Sequence, residues 1–84
     1  MYKSQKEIFM TSTLKILRRF RNKTQQELSE ETGITARTIQ RYETSSANLR
    51  SASYKNLVLL ANALNVTVDD FFLDNVSEFL KLPN

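Results

Sequence analysis

A single glycine punctuates this chain, Gly33, and it stands inside TQQELSEETGITARTIQRYE, Thr24 to Glu43. On either side lie segments with helical patterning, so the backbone must turn at Gly33 through positive φ, a region that penalises any residue with a Cβ. Two short helices joined by a tight turn are what this stretch can become. Before the turn, Thr24 caps the first helix, Glu27 reaches back to it three residues on, and Leu28 supplies the inward apolar contact. After it, Thr35 is the candidate cap of the second helix. There Ile39 and Tyr42, spaced i and i+3, face inward. At about 100° per residue, Arg37 and Arg41 each fall within roughly 20° of the direction opposite Ile39. Two guanidinium groups therefore share the outer face.

The pattern TQxELxxxxGIxxxTIxRYE resembles the lambda-repressor-like helix-turn-helix family (Cro and CI type, the xenobiotic response element family). LKxLR at Leu14 to Arg18 is similar to the family's first helix, and LxLLANALNVTVDDFF at Leu57 to Phe72 to its fourth and fifth. The resemblance implies an all-α fold: a compact bundle of five short helices whose second motif helix enters the major groove of DNA. It also implies base contacts from Thr35, Ala36, Arg37, Thr38, Gln40 and Arg41, and a structural ion pair between Arg18 and Glu43. Some positions depart from the family. Asn22 replaces a usual glycine, and asparagine is the next best residue at a left-handed helix end. Lys23 replaces an apolar residue, with Phe20 expected to fill the space and Lys23 to turn towards phosphate. Ser29 replaces a common alanine where the motif helices cross.

Taken in order, residues 1–11 read as an arm or helix extension, residues 12–74 as the DNA-binding domain and residues 75–84 as an apolar tail. Thr11 or Ser12 caps a first helix with Leu14, Leu17 and Phe20 as its stripe. Lys15, Arg18, Arg19 and Arg21 occupy its other faces. Beyond Glu43, TSSANLRSAS has Leu49 as its only large apolar residue and reads as a loop, longer than is typical of the family and without its usual glycine and proline. Thr44, Asn48 and Arg50 in this loop, with Lys23 and Gln25 at the first motif helix, are the residues assigned to DNA phosphate. Ser51 or Ser53 caps the next helix, where Leu57, Leu60, Ala61 and Leu64 face inward and Asn65 follows the last turn. Thr67 and Asp70 form a TxxD box opening a fifth helix with Val68, Phe71 and Phe72. In the tail, Val76, Phe79, Leu80 and Leu82 precede Pro83. They cover the core or pair with a second copy, and the dimer contact is the favoured reading.

Composition removes whole classes of chemistry. With neither cysteine nor histidine, disulfides, Cys/His zinc sites and most nucleophile–base pairs are excluded, and no glycine-rich phosphate loop is present. Catalysis is not expected. No metal or cofactor is expected either: acids such as Asp69 and Asp70 suit the first turn of a helix, and no DxDxDG-type loop exists. No apolar run approaches the roughly 20 residues that cross a bilayer, and the start MYKSQKEIFM lacks a secretory apolar core, so a cytoplasmic protein is expected. Residues 1–50 hold ten Lys/Arg against five Asp/Glu, net +5, while 51–84 hold two against four, net −2. The basic half is the half with the motif, as binding to a polyanion requires. The expected function is a sequence-specific transcriptional regulator, a repressor acting as a homodimer on palindromic double-stranded DNA, with no small-molecule ligand evident. The alternative is an antitoxin or bridging factor that mainly docks a partner protein.

Overall fold

Every described helix of this protein follows a hydroxyl-bearing residue. In the computed structural model, which describes residues 12–72, the elements are α1 (Thr13–Phe20), α2 (Gln25–Thr32), α3 (Ala36–Thr44), α4 (Ser46–Arg50), α5 (Tyr54–Leu64) and a 3₁₀ helix (Val68–Phe72). Thr24, Thr35, Ser45 and Ser53 each accept a hydrogen bond from the backbone N–H three residues on. At α2 the box is reciprocal: Glu27 N–H donates to Thr24 Oγ1 at 3.0 Å, and Thr24 N–H to Glu27 Oε1 at 2.8 Å. Thr67 and Asp70 repeat it at the 3₁₀ helix, at 3.3 and 2.9 Å. Ser12 precedes α1 without a side-chain cap bond. Such caps satisfy amides that have no partner within the helix, typically stabilising by about 1 kcal/mol each.

The ends are equally local in origin. Gly33 has φ +79°, and a Cβ there would meet nothing within 4 Å, so the demand is conformational rather than steric crowding. Asn22 and Asn65 take φ of 59° and 58°, the left-handed conformation that asparagine tolerates. After Asn22 the chain closes α1 with Lys23 N–H on Arg18 C=O, and after Asn65 it closes α5 with Val66 N–H on Ala61 C=O.

Between these ends, α2 and α3 pack on each other, α1 against α3, α2 against α5, and the 3₁₀ helix against α1 and α5. Their shared core is Leu14, Leu17, Leu28, Ile34, Ile39, Tyr42, Leu49, Leu57, Leu60, Ala61, Leu64 and Phe71. Burying a leucine or isoleucine side chain stabilises by about 1.5–3 kcal/mol, so this set dominates the favourable terms.

Three expectations need correction. The segment from Thr44 to Ser53 is not all loop: Ser45 caps the five-residue α4, and Leu49 is buried in the core. One apolar anchor per helical turn leaves no periodicity to read, although it suffices to pin a turn. The fifth expected helix is the 3₁₀ helix, in which Phe71 is buried while Phe72 is exposed. Phe20 does not fill a core space; it is 40% exposed, with the Arg21 guanidinium 5.3 Å from its ring centroid. An i, i+3, i+6 series drifts by about 60° at each step, which carries Phe20 off the face that Leu14 and Leu17 bury. The expected arm at residues 1–11 and the tail at 75–84 lie outside the described residues.

Candidate nucleic-acid interface

The position of α3 is set from its buried side. Ile39, Tyr42 and Glu43 are buried, and each is held differently. Ile39 enters the core. Tyr42 Oη accepts a hydrogen bond from Asn56 Nδ2 at 3.0 Å, tying the end of α3 to the first turn of α5. Glu43 receives Arg18 through two parallel bonds, Nε to Oε2 at 2.6 Å and Nη2 to Oε1 at 3.0 Å, a planar match that only arginine makes. Gln25 Nε2 donates to the same Oε1 at 3.0 Å, and Arg18 Nη1 donates to the Lys23 carbonyl at 2.7 Å. One carboxylate therefore joins the end of α3 to α1 and to the start of α2. A buried charge is tolerable only when paired and hydrogen-bonded in this way.

With its inner side so fixed, α3 turns the opposite side to solvent. Arg37, Gln40 and Arg41 are exposed, Thr35 is exposed at the cap, and Ala36 and Thr38 are half-buried. Thr35 Oγ1 donates to Thr38 Oγ1 at 3.0 Å while accepting from Thr38 N–H, so these two side chains are ordered against each other at the helix start. Neither Arg37 nor Arg41 has a side-chain hydrogen bond or ion pair among the described residues. Among the described residues nothing pairs with their charge, and the two side chains leave the helix one turn apart.

The residues assigned to phosphate are in a different state. Lys23 Nζ lies 2.5 Å from Glu31 Oε1, and the Gln25 amide is turned inward to Glu43. Thr44 Oγ1 donates back to the Gln40 carbonyl at 2.8 Å, and Asn48 Nδ2 to the Arg41 carbonyl at 3.0 Å. Of the five, Arg50 alone has a side chain with no polar partner among the described residues. Asn56, which sequence reasoning did not single out, ties α3 to α5 through Tyr42, and nothing local to it signals a tyrosine hydroxyl fourteen positions away. Among the described residues, no group of three or more His, Cys, Asp or Glu is placed to hold a metal ion, and no helix is long and apolar enough to cross a membrane.

A family model described as helix-turn-helix matches residues 14–71, more than half of the chain. The protein belongs to the lambda-repressor-like (Cro/CI-type) helix-turn-helix family and is a DNA-binding transcription regulator. No match was found among curated proteins or among solved structures.

Proposed function

We propose that the protein is a repressor that reads a palindromic operator as a homodimer, with α3 as the recognition helix. The observation that carries this reading is the contrast across α3: a buried side locked by Arg18, Gln25 and Asn56, and an outer side with two exposed, unpaired arginines. Arg37 and Arg41 each donate a bidentate pair to O6 and N7 of guanine, Gln40 offers an amide to a neighbouring base, and the methyls of Thr35, Ala36 and Thr38 meet thymine. Phosphate is held by Arg50, Lys23, Thr44, Asn48 and the second amide N–H of Gln25. Lys23 exchanges Glu31 for phosphate on binding. That exchange is inexpensive, since an exposed ion pair contributes only about 0–1 kcal/mol.

Two copies place their recognition helices about 34 Å apart, one turn of DNA, through a two-fold contact made by the C-terminal residues. Occupying promoter DNA in the cytoplasm is then sufficient for repression. The competing reading, docking of a partner protein through α3, is disfavoured by the residues on its outer face. A helix that fills a protein groove presents large apolar anchors, and none is exposed there.

Selection of bound sites from random duplex DNA tests this reading. An enriched palindrome with guanine in each half-site supports it and gives the half-site spacing; no enrichment at low salt rejects it.

A further inference from the structure

The last four carbonyls of an α-helix have no partner within the helix and have to be met from outside. In α3 these belong to Arg41, Tyr42, Glu43 and Thr44. Two of them are met by separate segments of the chain. Glu43 C=O accepts the Ser12 N–H at 3.3 Å, and Arg41 C=O accepts a bond from Asn48 Nδ2 at 3.0 Å. The first bond reaches a buried residue, whereas the second reaches one whose side chain is exposed on the outer face. Arg37 stands a turn earlier, where the ladder of the helix itself holds the carbonyl.

Asn48 is itself held in place. Its N–H donates to Ser45 Oγ at 3.0 Å, its carbonyl accepts from Ser51 Oγ at 2.9 Å, and the next residue, Leu49, is buried in the core. The amide that meets Arg41 therefore stands on a base pinned from both sides. That base, α4, falls in the stretch that is longer than is typical of the family. A carbonyl and a side chain share one Cα, so a bond that fixes the carbonyl also fixes the direction in which Cα–Cβ leaves the helix. Helix ends otherwise fray, and a frayed last turn would let Arg41 leave in many directions. A bidentate pair to guanine needs two donors in line with O6 and N7, whereas the attraction of a charge to phosphate depends on distance. A spread in direction therefore costs selectivity before it costs affinity for DNA in general.

Resting on the base readout assigned to Arg41 above, we propose that Asn48 is a positioning residue for sequence selection: its side-chain amide, through the Arg41 carbonyl, aims the Arg41 guanidinium. This role is separate from a hold on phosphate, for which the second N–H of the same amide has no partner among the described residues. It bears on the base pair that Arg41 reads and leaves the one read by Arg37 as it is.

The test is binding of the full chain, Arg41→Ala, Asn48→Ala, Asn48→Asp and the double variant Arg41→Ala with Asn48→Ala to operators that differ by single base pairs. The thermal transition of each variant is recorded alongside. Arg41→Ala first identifies the base pair that Arg41 reads. At that pair, Asn48→Ala is expected to lower discrimination about three- to tenfold, the scale of one net hydrogen bond, and to leave discrimination at the other pairs unchanged. Asn48→Asp, of the same shape but without the donor, should show the same local loss. In the Arg41→Ala background, Asn48→Ala should lower discrimination no further, because it acts through Arg41. A lost phosphate contact or a smaller folded fraction weakens every operator by the same factor. A uniform loss in both Asn48 variants, no loss at all, or a loss of discrimination that persists in the double variant therefore overturns the proposal while readout by Arg41 stands. If Arg41→Ala lowers discrimination at no base pair, the underlying reading fails and the proposal fails with it.

Discussion

Arg18 and Arg37 are the same residue type on the two sides of one helix packing, and they meet opposite fates. Arg18 is 8% exposed and its guanidinium is committed to Glu43 and the Lys23 carbonyl. Arg37, like Arg41, stands in solvent with no such partner among the described residues. The inner arginine is a structural part, because its donors are consumed in positioning α3. The outer pair retains its donors, which is what recognition of a planar base edge or a phosphate needs. Burial and pairing, rather than residue type, separate the inner arginine from the outer two here.

The strongest way to break this division is at its buried end. Glu43→Ala leaves the Arg18 charge without its carboxylate and is expected to destabilise by about 3 kcal/mol, measured by denaturant unfolding; a double-mutant cycle with Arg18→Ala should show strong coupling. A loss under 1 kcal/mol would place the pair with exposed ion pairs instead. On the outer face the expectation is reversed: Arg37→Ala or Arg41→Ala should leave stability within about 0.5 kcal/mol yet cost about 1–3 kcal/mol of operator binding. Thr24→Ala, which removes half of the reciprocal box at α2, should destabilise by about 1 kcal/mol in thermal unfolding. The smallest effect belongs to Lys23→Ala, whose exposed pair with Glu31 should contribute under 1 kcal/mol; a larger loss would mean that this lysine is scaffold after all.

Much of the fold was legible because its determinants are local. Thr24 with Glu27, Thr35, Gly33, Asn22 and Asn65 each declare a helix start or end within a few residues, and each sits in the backbone state its chemistry favours. Regions that depend on tertiary packing were not legible. α4 exists because Ser45 caps it and Leu49 reaches the core, and a single apolar residue among small polar ones has no period to detect. Phe20 was misplaced for the reverse reason, a period extended past the arc that the neighbouring helices cover. At the candidate interface, the outward direction of Arg37 and Arg41 followed from helical geometry alone. The inward turn of Gln25 did not, since its partner Glu43 comes from the far end of α3.

The central claim of the proposed function is that the exposed arginines of α3 select sequence while Lys23, Gln25, Thr44, Asn48 and Arg50 hold the backbone. It is tested most directly by measuring binding of the unaltered chain, Arg37→Ala and Arg41→Ala to a panel of operators that differ by single base pairs. The account predicts that each variant loses discrimination at one base pair, a guanine position in each half-site, and keeps its preferences elsewhere. A uniform loss of affinity across the whole panel for both variants would contradict it, because the two arginines would then be gripping phosphate.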